Sequence, residues 1–364
     1  MTLAVGQYVE SSAPTVAVKK TILSVQVMRG LAAAAVAVYH THLILAQPEY
    51  GGISVLETVA SRGWLGVNFF FVLSGFIIIF AHAKDVGKPR QIVNYLWKRF
   101  ARVYPIYWIF LTLFLIAAYC GIGHPSFSWN GANIASAYAL VKLAEPLSLP
   151  LQVAWTLFYE VTFYAIFVTL LANRVLGIVV LSAWTISIFV SSFVFGNEPG
   201  TLHMWGDMWC AYFMIGMCVY FLFRTLDGQR AIPILVSGLA ILVIMGWQLA
   251  SGKVSTTQKD PAILLALAIP FALILLGCAL GEQHRQWKPP GFLLRLGDAT
   301  YAIYLVHSPA ITVVALLNHR FAMGILPPLM LFALTVVASI SAGMLAHIYV
   351  ERPVLRALRG IFPS

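Results

Sequence analysis

Ten long apolar runs constrain this chain more than any other feature. They lie at 22–46, 64–82, 104–122, 153–171, 175–195, 205–223, 231–250, 262–280, 300–319 and 325–349. Each is about the 20 residues that a helix needs to cross a bilayer. In hydrocarbon a backbone N–H or C=O must be satisfied internally, so runs of this length imply helices. The expected fold class is all-α: a polytopic membrane bundle of about ten transmembrane helices. Composition agrees, with 60% hydrophobic and 10% charged residues, against about 25% charged in soluble domains. A soluble globular protein and a disordered chain are both excluded. Four cysteines in 364 residues are too few for a disulfide scaffold. Cys120, Cys210, Cys218 and Cys278 lack metal-ligand spacing and read as small packing residues.

The net charge of +10 would suggest nucleic acid in a soluble chain. Here it marks topology. With the N-terminus inside, one set of loops holds Lys19, Lys20, Lys84, Lys88, Arg90, Lys98, Arg99, Arg102, Arg174, Arg224, Arg230, Arg285, Lys288, Arg295, Arg352, Arg356 and Arg359. The other set holds only Arg62, Lys142, Lys253, Lys259 and Arg320. Such a bias places both termini in the cytoplasm, and no nucleic-acid partner is needed to explain it. The expected organisation is a tail over 1–20, a transmembrane domain over 21–350 and a short tail over 351–364. Lys19-Lys20 precedes a span too long for a signal-peptide core, so the first span reads as an uncleaved anchor. The longest outer segment, 123–152, reads as a loop. Trp64, Trp108, Trp155, Trp205 and Trp209 lie near span ends, where amphipathic rings favour the interface.

Ionisable residues inside spans are costly and point to function. The first span holds Arg29 and His40. Eleven residues at about 100° each bring them to one helix face, about 16 Å apart along the axis. His42 points away. Glu160, in the fourth span, is expected at His40's depth, and a carboxylate and an imidazole there suggest a pair. Lys98, Arg99 and Arg102 cluster at the inner end of the third span. If that stretch is helical, Arg99 and Arg102 share a face suited to phosphate. In the ninth span Tyr304 and His307 are i,i+3, expected in its inner half, with Asp298 as a helix N-cap. His347 and Glu351 read as a local i,i+4 pair.

Several motifs stand in order. They are Arg29-(ten residues)-His40, Gly66-Val-Asn-Phe-Phe-Phe-Val-Leu-Ser74-Gly75-Phe76 and Arg99-Phe-Ala-Arg102-Val-Tyr-Pro-Ile-Tyr-Trp108. Trp155-Thr-Leu-Phe-Tyr-Glu160, Tyr301-Ala-Ile-Tyr304-Leu-Val-His307 and Val350-Glu351-Arg-Pro353 complete the set. Together they resemble the acyltransferase 3 family of membrane proteins, over about residues 21–357. The resemblance is closest to members that O-acetylate bacterial exopolysaccharide and lipopolysaccharide O-antigen. It implies a multi-pass protein of the bacterial cytoplasmic (inner) membrane. It also implies an acyl-CoA co-substrate, with acetyl-CoA as the expected form, no metal, and a polysaccharide or lipid-linked glycan acceptor. Arg29 and His40 carry over as essential residues, and Arg99 and Arg102 as associated with acyl-CoA. With Glu160, the expected catalytic set is His40, Glu160 and Arg29. Lys98, Arg99, Arg102, Tyr304 and His307 are the expected residues along the acyl-CoA path. His40 is expected to act either as general base or as covalent acyl carrier.

The alternative reading is a proton-coupled secondary transporter using His40 and Glu160. Transporters of that kind often show inverted repeats, and no internal repeat is apparent here. The orientation is directly testable. A fluorescent protein fused after Ser364 should fluoresce in cells, and a phosphatase that works only outside the cytoplasm should be inactive there. The reverse result would invert the topology.

Overall fold

A computed structural model describes residues 21–122, 127–195, 205–251, 260–285, 287–322 and 324–359. The tail expected over 1–20, with Lys19 and Lys20, lies outside the described residues. So do 123–126 of the expected outer loop, Lys253, Lys259 and the chain end from 360.

Among the described residues all regular structure is helical, without strands. The helices are α1 (Leu23–Leu45), α2 (Glu57–Ala60), α3 (Leu65–His82), α4 (Ile92–Tyr119), α5 (Gly131–Ala139), α6 (Trp155–Ala172) and α7 (Arg174–Phe193). They continue with α8 (Ala211–Thr225), α9 (Ala231–Ala250), α10 (Pro261–Arg285), α11 (Gly291–Asp298), α12 (Thr300–Leu317), α13 (Pro328–Ala346) and α14 (Arg352–Arg359). Ten helical segments are long and apolar enough to cross a membrane, so this is a multi-pass membrane protein. The break between the fourth and fifth spans falls at Asn173, whose extended backbone and side-chain oxygen cap α7.

Helix α1 sits at the centre, packed on α3, α10, α11, α12 and α13. Its first turn has no side-chain cap of its own. In hydrocarbon its free N–H groups cannot turn to water. The buried carboxylate of Glu282, at the end of α10, accepts from the backbone N–H of Leu23 at 2.9 Å and of Ser24 at 2.6 Å. Just above, the Gln26 amide donates to the Leu294 carbonyl and the Asp298 carboxylate. Gly30 of α1 and Gly297 of α11 let the two backbones touch: a Cβ at Gly297 would collide with the Gln26 carbonyl. Small residues that let backbones approach are the usual means of packing helices in lipid.

Four expectations are corrected. Asp298 does not cap α12; it ends α11 and holds Gln26, while Thr300 bonds back to the Gly297 carbonyl at 2.7 Å. The segment 123–152 contains a helix, α5, capped by Asn130. Its last carbonyls accept from Tyr104, Tyr107 and Trp108 of α4, so α5 is stabilised by a neighbour that its own sequence does not reveal. The sixth span starts later than 205, with a tight turn over Met208–Cys210 leading into α8. Trp64 and Trp209 are buried and pack with Trp155 and Phe71 inside the bundle, whereas Trp108 and Trp205 are exposed.

Gly297→Val should lower thermal stability in detergent by about 1–3 kcal/mol or prevent folding, as overpacking does. Gly246→Ala, where a Cβ meets nothing within 4 Å, should leave stability unchanged or raised. Equal stability of the two variants would contradict the close α1–α11 contact.

Candidate active site

Helix α4 carries the basic motif well before its apolar stretch begins, so Lys98, Arg99 and Arg102 are all helical. Their side chains diverge. Arg102 lines three cavities. The first, about 480 Å³, lies at the end of the bundle where α1 begins and is bounded by Asp298, His347, Glu351, Arg352 and Arg356. The second, about 350 Å³, runs between α1 and α3 past Gln26, Arg29 and Phe80. The third is a narrow chamber of about 80 Å³ deeper in the bundle, lined by Arg29, Phe70, Ser74, Thr156, Glu160 and Tyr304, among others. Arg29 is common to the second and third cavities. The three therefore form a series with Arg102 at their junction.

Arg99 does not join Arg102 there. Its guanidinium lies over the rings of Tyr95 and Tyr164, 5.7 and 5.6 Å from their centroids, and Nη2 is 3.5 Å from His82 Nε2. Three residues of helix rotate a side chain by about 300°, enough to send Arg99 toward α3 and α6. Lys98 is exposed and lines none of the three cavities. The expected Arg99–Arg102 phosphate clamp is thus split.

The expected His40–Glu160 pair is also absent. Glu160 accepts from the Tyr164 hydroxyl and faces Arg29 and Arg102 in the chamber. His40 meets His307 instead: Nδ1 of His40 is 3.1 Å from Nε2 of His307 and 3.0 Å from the Val36 carbonyl. The reason is packing: α12 lies directly on α1, while α6 lies on α7, α4 and α3. His307 reaches His40's depth because α11, not α12, fills the first turns beside α1. His307 still lies in the first half of its own span, Thr300–Phe321, as expected.

These contacts set the protons. A carbonyl only accepts, so His40 Nδ1 carries hydrogen. His307 Nδ1, 3.0 Å from the Ile303 carbonyl, carries one too. In the neutral pair, His307 Nε2 accepts from His40 Nδ1–H, and His40 Nε2 keeps a bare lone pair. That nitrogen has no hydrogen-bond partner among the described residues. His307 is fully buried, with its Nε2 against His40 Nδ1. Tyr304 stands between the two regions. Its ring lines the chamber and lies 5.8 Å from the His307 ring. Its hydroxyl is committed to the Val153 carbonyl and Thr156, each at 2.7 Å, so only the ring is free to face a ligand. The lining residues Phe70, Ser74, Thr156 and Tyr301 were not singled out beforehand, although all lie inside the motifs quoted above.

A family model described as an acyltransferase domain matches residues 22–347. The chain belongs to the acyltransferase 3 family. As an acyltransferase 3 protein it is an O-acyltransferase, and the transporter alternative falls. It is 27% identical over 305 residues to the exopolysaccharide production protein ExoZ of Rhizobium meliloti, covering 81% of this chain and 90% of that one. It is 26% identical over 372 residues to the acyltransferase MdmB of Streptomyces mycarofaciens, covering 89% of this chain and 90% of the relative. It is 25% identical over 336 residues to the peptidoglycan O-acetyltransferase OatA of Listeria monocytogenes, covering 81% of this chain and 50% of OatA. No solved structure matches the chain. These relatives fit an acyltransferase 3 enzyme of polysaccharide O-acylation, with the chamber and the histidine pair as its candidate site.

His307→Phe keeps an aromatic ring but removes the acceptor for His40 Nδ1–H. It should cut kcat by more than about tenfold with KM for the donor little changed, because an orienting group acts on the base rather than on binding. A raised KM at unchanged kcat would place His307 in donor binding instead.

Proposed function

We propose that this protein transfers an acetyl group from cytoplasmic acetyl-CoA to a hydroxyl of a surface or exported polysaccharide, at the bacterial cytoplasmic membrane. The observation that carries the reading is the bare Nε2 of His40, held by Val36 and His307. Its partner His307 lies beside the Tyr304 ring, and that ring lines a chamber that shares Arg102 with a basic mouth. The names of the relatives support the acceptor class: one is an exopolysaccharide production protein and another a peptidoglycan O-acetyltransferase. The charge bias of the loops supports a cytoplasmic mouth.

In this reading the donor enters from the cytoplasm, and its arm passes Arg102 and Arg29. Nε2 of His40 takes the proton of the sugar hydroxyl. The sugar oxygen forms a bond to the thioester carbonyl carbon, and the carbon–sulfur bond breaks. CoA leaves as thiolate and receives the proton from His40. General-base work of this kind contributes about 100- to 10,000-fold. The free lone pair serves this route without a covalent intermediate. Glu160 offsets the charge of Arg29 and Arg102, for charges inside a bundle persist when paired.

His40→Ala should lower CoA release from acetyl-CoA, measured with purified protein and the acceptor glycan, by about 100-fold or more at wild-type expression. Mass spectrometry of the cell-surface glycan should show the loss of one acetyl group per modified unit. Full acetylation by the His40→Ala protein would overturn the mechanism.

A further inference from the structure

Past the tenth span the chain does not trail off. α13 passes through a wider helical turn over His347–Glu351 into α14, so helix continues to Arg359. This brings Arg352 and Arg356, one turn apart on the same helix face, to the cavity of about 480 Å³ that they share with Arg102. Among the described residues none of these three arginines makes an ion pair. The two carboxylates nearby are already used: Asp298 holds Gln26, and Glu351 Oε2 bonds His347 Nδ1 at 2.7 Å. Three guanidiniums outnumber the two carboxylates that line this cavity, Asp298 and Glu351, and an anionic ligand offsets that excess of positive charge.

We propose that Arg352 and Arg356 of α14, with Arg102, form the subsite that holds the phosphate groups of the acyl-CoA donor. The inference rests on the acyl-CoA reading above and moves the phosphate contacts from the Arg99 pair to the C-terminal helix. Arg352 and Arg356 lie beyond residues 22–347, the part of the chain matched by the family model. The same chemistry would also take the phosphate of an anionic lipid headgroup. Continuity favours the nucleotide: Arg102 and Asp298 join this cavity to the next, and Arg29 joins that one to the chamber. A headgroup site has no need of such a passage.

The test uses the full-length protein in nanodiscs of zwitterionic lipid and measures binding of CoA and of 3′-dephospho-CoA. Wild type should prefer CoA by about tenfold or more, as loss of a charge-assisted contact predicts. The double variant Arg352→Gln with Arg356→Gln should lose that preference and bind both weakly. Arg224→Gln, an exposed arginine away from the cavity, should behave as wild type. A double variant that keeps the wild-type preference overturns the subsite and leaves the acyl-CoA reading standing. Wild-type protein that binds neither nucleotide overturns that reading itself. If the double variant differs from wild type only in nanodiscs containing phosphatidylglycerol, the arginines hold lipid and the proposal fails.

Discussion

The site depends on how α1 is held. This helix carries both Arg29 and His40, so its rotation and height decide where both functional groups point. In water the open N–H groups of its first turn would be solvated. Within a bundle they need a protein acceptor, and the Glu282 carboxylate supplies it across 259 positions of sequence. The amide of Gln26 on Asp298 and the glycine contact between Gly30 and Gly297 hold the next two turns. A rotation of α1 by one residue would turn Arg29 out of the chamber and part His40 from His307.

From that clamp the polar groups divide into two regions. One is a charged chamber where Arg29 and Arg102 face Glu160, itself tied to Tyr164. The other is a pair of imidazoles, His40 and His307, each held by a carbonyl of its own helix. The Tyr304 ring stands between them and is fixed to the start of α6 through its hydroxyl. In the proposed reaction this separation suits acyl transfer. Cations belong where an anionic donor passes, whereas a general base works best where no nearby cation disfavours its taking a proton.

Much of this was legible beforehand. The ten spans follow from length and hydropathy because each must satisfy its own backbone. Arg29, Arg102, Glu160 and Tyr304 converge on one chamber, and charge scarcity or motif resemblance had singled out all four. What the sequence hid were contacts between distant elements. Equal depth did not make His40 and Glu160 partners, because depth says nothing about which helices are neighbours. Helices α5 and α11, of nine and eight residues, are too short to show a spanning pattern. Arg99 and Arg102 share a motif, yet about 60° of rotation sends one onto tyrosine rings and the other to the cavities.

By itself, the sequence determined that this chain has ten runs long and apolar enough to cross a bilayer, which loops carry the positive charge, and which few ionisable groups lie within those runs. Those properties are local: each is set by the cost of placing a given side chain or peptide group in hydrocarbon. Only the tertiary structure decided that His307 and not Glu160 bonds His40, that Glu282 caps α1, and that α14 returns two arginines to the mouth. Such pairings depend on which helices pack together. In lipid that is governed by small-residue contacts and hydrogen bonds between segments hundreds of residues apart, which no single span encodes.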